Sequence, residues 1–238
     1  MRELYNYRID EDATTLRPTI KAELKMIIDK RIKEQGPNCN LNDIDVSRIM
    51  DMSWLFANSP FNGDISKWDV SNVRKMSFMF MSSKFNGDIS KWDVSRVERM
   101  DSMFYKSQFN KDISKWDVSN VKDMNAMFDH SKFNGDISKW NVSKVINMSH
   151  MFYGSLFNKD ISKWNVRNVE SMEYMFSESK FNRDISKWDV SHVKSMGNMF
   201  SYSDFNKDLS KWNVRTLGIR FMFYRTPLEG NEPEWYVV

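Results

Sequence analysis

FNGDISKWDVSNVRKMSFMFMSSK, residues 61–84, recurs along the chain at a fixed spacing of 24 residues. Phe61 is followed by Phe85, Phe109, Phe133, Phe157, Phe181 and Phe205. Trp68 is followed by Trp92, Trp116, Trp140, Trp164, Trp188 and Trp212. A period between about 20 and 50 residues marks stacked-repeat architecture, because a single unit cannot bury its apolar face alone. Within one unit, the alternation Trp68-Asp69-Val70 predicts a short strand with Asp69 facing out. Ser71 is a good helix N-cap. Val73, Met76, Met79 and Phe80 then fall on one side of a helical turn.

One strand and one helical turn in 24 residues give an α/β repeat with leucine-rich-repeat-like geometry, a solenoid. The chain divides accordingly into an N-terminal tail (1–17), a capping helix with a degenerate first repeat (18–60), a solenoid of 24-residue repeats (61–216) and a C-terminal cap (217–238). The helix is read from TIKAELKMIIDKRIKEQ, where Ile20, Leu24, Ile27, Ile28 and Ile32 form an apolar stripe and Gly36-Pro37 supplies the stop. It is expected to cover the open face of the first coil, since stacked arrays need capped ends. In Leu41–Ser59, Leu41 stands for Ile65, Ile44 for Trp68 and Leu55 for Met79. In the seventh copy Leu209 replaces Ile, Leu217 replaces Val, and Arg220 stands where Met is expected. Trp235 and Tyr236 are available to cover the last coil. All five prolines lie outside the regular array, as backbone pairing within it requires.

Composition narrows function mainly by exclusion. A net charge of +3 is too small to argue for nucleic acid by itself. A lone Cys39 rules out an intrachain disulfide framework and argues against a multi-cysteine zinc site. No apolar run approaches the 18 residues of a membrane span. The opening MRELYNYRIDEDATTL has no apolar core after a basic start and does not read as a secretory signal. His130, His150 and His192 lack metal-ligand spacing and read as surface residues, and no nucleophile with a neighbouring base is evident. The expectation is no enzyme, no catalytic residue, no cofactor and no metal.

The polar columns separate by how much they vary between copies. Asn62 and Asp64 recur unchanged to Asn206 and Asp208, so the carboxylates are expected to hold turns by Asx hydrogen bonds. The column Asp69, Asp93, Asp117, Asn141, Asn165, Asp189, Asn213 accepts either residue. It is solvated or ladder-forming, or else it reads a ligand by hydrogen bonds. Positions 72, 74, 75, 77, 78, 81, 82 and 84 vary freely and carry Phe78, Met81, Tyr105, Tyr153, Tyr174 and Tyr202. Exposed aromatic residues are enriched at interfaces. These six and the Asp69 column are therefore the candidate partner-binding residues, against a bland reading of scattered surface aromatics.

The repeat F-N-x-D-I-S-x-W-D-V-S-x-V-x-x-M-x-x-M-F, with thirteen of 24 positions unvaried in the six full copies, resembles the BspA-like bacterial leucine-rich-repeat surface proteins, including mycoplasma lipoprotein repeats of unassigned function. The lead-in ELKMIIDKRIKEQGPNCNLNDIDVS is similar to the N-terminal cap found before such repeats, and the resemblance spans residues 20–224. It implies a right-handed leucine-rich-repeat-like solenoid that acts in attachment or protein–protein contact at a bacterial surface, with no catalytic residues. The expected partner is another protein, and the expected state a monomer. Two alternatives stay open: a polyanion or nucleic-acid binder using the Lys67 column, and an intracellular inhibitor or regulator of a partner protein.

Overall fold

A computed structural model describes residues 16–216 and 218–237. Each copy closes one coil around the same eight apolar side chains. In the first full copy these are Phe61, Ile65, Trp68, Val70, Val73, Met76, Met79 and Phe80, none more than 4% exposed. The coils are joined edge to edge by parallel bridges running Asp51, Lys75, Arg99, Asp123, Asn147, Ser171, Ser195, each residue paired with its equivalent in the next copy.

The expected strand and helical turn do not form. Around Trp68 the backbone instead makes two reverse turns, closed by Trp68 N–H to Ile65 O at 3.2 Å and Val73 N–H to Val70 O at 2.9 Å. Pairing between coils sits at the Lys75 column and is one residue wide, so no strand extends from it. Over Met76–Ser82, alternate N–H groups point to the next coil: Met76 to Arg99 O, Phe78 to Asp101 O, Phe80 to Met103 O and Ser82 to Tyr105 O. Met79 and Met81 between them bond three positions back, to Met76 O and Phe78 O. An α-helix needs every N–H directed four residues back along its own chain, and half of these go elsewhere. Among the described residues the one α-helix is α1, Lys21–Gln35.

Side chains repeat the coil-to-coil bonding. From Trp92 to Trp212 each column tryptophan donates its indole N–H to the isoleucine carbonyl of the preceding copy, as in Trp140 Nε1 to Ile113 O at 3.1 Å, and Trp68 uses Leu41 O in the same way. This buries the indole without stranding its donor. The Phe80 column stacks at 5.6 Å to Phe104, with rings within 6° of parallel. Asn62 Oδ1 accepts from Asn86 N–H at 2.8 Å, and the same bond recurs up to Asn206. The Asp64 column makes the expected Asx turns, as in Ser66 N–H to Asp64 Oδ1 at 2.9 Å, through to Ser210 and Asp208.

Both ends are closed. α1 buries Leu24 and Ile28 against the first coil, with Ile27 and Ile32 partly buried beside them. Ile20 does not join this stripe. It precedes the helix in extended backbone and is 57% exposed. Thr19 N–H donates to Glu23 Oε2 at 2.8 Å at the start of α1, and Gly36, at φ 86°, returns its N–H to Ile32 O at the end. The expected tail, 1–17, lies outside the described residues except for its last two, and Leu16 forms a parallel bridge to Ile44. At the other end Trp235 stacks on Trp212 at 6.2 Å and donates its indole N–H to Leu209 O at 2.8 Å. It thus takes on the seventh coil the place that Trp212 takes on the sixth. Arg220 is exposed and does not occupy a methionine place. The seventh copy is one residue short, so Ile219 fills that place, with Met222 N–H closing onto its carbonyl. Leu217 lies outside the described residues.

Candidate binding face

The turns that replace the helix need positive φ. In Met76–Ser77–Phe78–Met79, Phe78 sits at φ 59°, and in the turn Phe80–Ser83, Ser82 sits at 52°. The same two columns hold all fifteen non-glycine residues of positive φ among the described residues. For an L-residue this backbone puts Cβ against the carbonyl and costs about 1–2 kcal/mol, which is why glycine is its usual occupant. Yet within the two columns glycine occurs once, at Gly154, and bulky rings are frequent: Trp54, Phe78, His130, His150, Tyr174, Tyr202 and Phe221.

These rings collect in groups on one face. Trp54 and Phe78 stack at 4.1 Å and 12°, and Trp54 remains 49% exposed. In the middle, His150 stacks on Tyr174 at 4.8 Å while Tyr153 meets His130, His150 and Tyr174 edge-on. The His130 ring lies over Gly154, where a Cβ would come within 2.8 Å of Nε2. His130 Nδ1 is 2.5 Å from Asp129 Oδ1, whose carboxyl is pushed up by burial, against the lowering effect of that hydrogen bond. Tyr153 Oη donates to Glu178 Oε1 at 2.7 Å, and this bond to a carboxylate is the main reason its phenol is pushed up to about 12. Further along, Tyr202 and Tyr224 meet edge-on at 5.3 Å with the Arg225 guanidinium over both rings. Lys106 stands over Tyr105 at 5.1 Å.

All six variable-column candidates, Phe78, Met81, Tyr105, Tyr153, Tyr174 and Tyr202, lie on this face, in neighbouring columns. Sequence reasoning missed Trp54, His130, His150, Phe221, Tyr224 and Arg225. The first three share the 24-residue register with the six, and the last three escape it because the seventh copy is one residue short. The Asp69 column stays apart from the aromatic residues. Its side-chain oxygens accept the backbone N–H two residues on, as in Ser71 N–H to Asp69 Oδ1 at 3.1 Å and Arg167 N–H to Asn165 Oδ1 at 3.3 Å. Aspartate and asparagine make that bond equally well, which accounts for the drift between them. Asp93, Asp117, Asn141 and Asp189 do the same, and Asn213 is exposed.

The lysine columns lie beside charge of the opposite sign. Asp64, Asp88, Asp112, Asp136, Asp160, Asp184 and Asp208 are all held below the usual carboxylate range, chiefly by the serine N–H bond and next by the serine hydroxyl, with the neighbouring lysine adding less. Among the described residues no helix is long and apolar enough to cross a membrane, and no three His, Cys, Asp or Glu side chains converge as metal ligands.

No curated protein and no solved structure matches the chain. A family described as Mycoplasma protein of unknown function, DUF285, matches over residues 28–136, 83–179 and 129–235, three overlapping spans that cover most of the length. With the 24-residue coil and its stacked columns, that match makes the chain a repeat protein belonging to the DUF285 family of Mycoplasma proteins.

Proposed function

We propose that the chain is a non-catalytic protein-interaction scaffold, a right-handed leucine-rich-repeat-like solenoid of the BspA-like surface kind, which holds another protein on its aromatic face. One observation carries this reading: bulky rings occupy outward positions of positive φ. Packing gives no reason to keep them there, because the eight core side chains of each coil are buried without them. Backbone strain persists where something other than stability selects the residue. Tyrosine, tryptophan and arginine are also the residue types that dominate binding energy at interfaces. Attachment at a bacterial surface follows from the resemblance of the repeat, and the tight interlock of neighbouring coils suits a rigid platform.

The test is a pull-down from host-cell extract with the parent and with a variant in which Trp54, Phe78, His150, Tyr174, Tyr202 and Phe221 are all set to Asn, which tolerates positive φ. Loss of specifically retained proteins supports the face. An unchanged retained set, with the fold intact, sinks it.

A further inference from the structure

The Phe78 column reads Trp54, Phe78, Ser102, Ala126, His150, Tyr174, Asn198, Phe221 from coil to coil. Where two rings are adjacent they stack, at 4.1 Å for Trp54 and Phe78 and 4.8 Å for His150 and Tyr174. One coil spacing is thus filled by one flat ring. Between Tyr174 and Phe221 a single coil lacks its ring, and the chain is cut back there twice, to Gly197 and Asn198. The Gly197 column otherwise carries Ser53, Ser77, Asp101, Asn125, Ser149, Glu173 and Arg220, so the trimming is particular to this coil. The result is an open notch of about 540 Å³ with Tyr174 and Phe221 in its walls, Glu173 on one side and Arg220 on the other. Phe221 is 60% exposed. Among the described residues the Asn198 side-chain amide makes no hydrogen bond, its backbone N–H donating to Arg220 O at 2.9 Å, and Arg220 makes no ion pair. Glu173 accepts from Ser195 Oγ and lines the notch.

We infer that this notch takes one aromatic side chain from a protein partner, inserted between Tyr174 and Phe221 as the missing ring of the column. Charge complementarity sets its neighbours: a basic residue toward Glu173 and an acidic residue toward Arg220. The free Asn198 amide meets the peptide backbone or the polar edge of the guest ring. Such an anchor in an aromatic-walled slot is the usual form of an interface hot spot. The inference rests on the aromatic face being the binding surface and adds which residue type is bound, and where.

The probe is the capped tripeptide Ac-Lys-Trp-Asp-NH2, titrated into the full-length protein while amide resonances are followed by NMR, with Ac-Lys-Ala-Asp-NH2 and a methyl glucoside as controls. The expected result is a saturable ring-current shift confined to Gly197, Asn198 and their neighbours, absent with both controls. Asn198→Tyr fills the notch with a ring that the same column already accommodates at Tyr174, and is expected to weaken the response about tenfold or more with unchanged melting. Phe221→Ala removes one wall and is expected to weaken it as well. Three results overturn the notch: no shift with the tryptophan peptide, an equal shift with Asn198→Tyr, or a response to the glucoside in place of the peptide. If one of these occurs while the six-residue variant still loses its retained proteins, the notch alone falls and the face stands.

Discussion

Trp140 is bound to its neighbours in two ways. Its ring is 4% exposed in the middle of the array, and its Nε1 shares the Ile113 carbonyl with the Trp116 N–H, each at 3.1 Å. Trp140→Ala removes both ring and donor and is expected to cost about 3–5 kcal/mol, as large-to-small changes in well-packed cores do. Trp140→Phe keeps part of the ring and leaves Ile113 O with its second donor. Loss of the hydrogen bond then adds only about 0.5–1.5 kcal/mol to the packing loss. Urea denaturation of the two variants separates these contributions. Equal losses would mean that ring volume contributes nothing at this place.

At the scale of the turn, fixed aspartates do work that asparagine also does. A carboxylate held below its ordinary 3.8 contributes stability that is complete above that value and lost as pH falls through the lowered one. Seven such groups line the Asp64 column, and all act in the same direction. Asp123 and Asp129 oppose them: burial raises both, so their penalty at neutral pH is relieved by acid. Unfolding midpoints are expected to hold down to about pH 4 and to fall below it, as pH drops through 3.8 and the lowered values. The double variant Asp112→Asn with Asp136→Asn is expected to fall less steeply, since Asn141 and Asn165 already make the same bond without titrating. A variant curve parallel to the parent would remove the column from the acid response.

The turn is also where legibility ends. The apolar set Phe61 to Phe80 and its period follow from hydrophobic spacing alone, and the helix α1 from its stripe and its Gly36 stop. The turn type over Met76–Ser82 does not follow, because apolar residues at three- and four-residue spacing describe a helical face and a ladder of turns equally well. What decides between them is the destination of the Phe78 and Ser82 N–H groups, the next coil, which no local pattern encodes. Asn198, and the non-glycine residues generally in that column, gave no warning of positive φ. Of the binding face, the aromatic members in register could be read. The seventh-copy members could not, because a one-residue deletion hides their alignment.

Across the whole molecule, each coil is held by the next through backbone bonds, indole bonds and ring columns, so loss at one place spreads to neighbours. On the seventh coil Trp235 supplies the indole bond and the stacked ring that a following tryptophan supplies elsewhere. Trp235→Ala is expected to cost about 2 kcal/mol, less than a central tryptophan because this ring is only partly buried. Hydrogen exchange is expected to quicken first in residues 205–224. Uniform quickening along the array would contradict a local capping role.

Whether the rings at positive φ serve binding or folding is decided by the equilibrium stability of one variant, Phe78→Gly with Tyr174→Gly and Phe221→Gly. Glycine relieves about 1–2 kcal/mol of strain at each site and gives back about 0.5–1 in backbone entropy and 0.5–1.5 in ring contact. The expected change lies between a gain of about 3 kcal/mol and a loss of about 4.5, since these contributions partly cancel. A loss of about 9 kcal/mol or more, as for three buried aromatic side chains, would make the face part of the core and contradict its assignment to a partner.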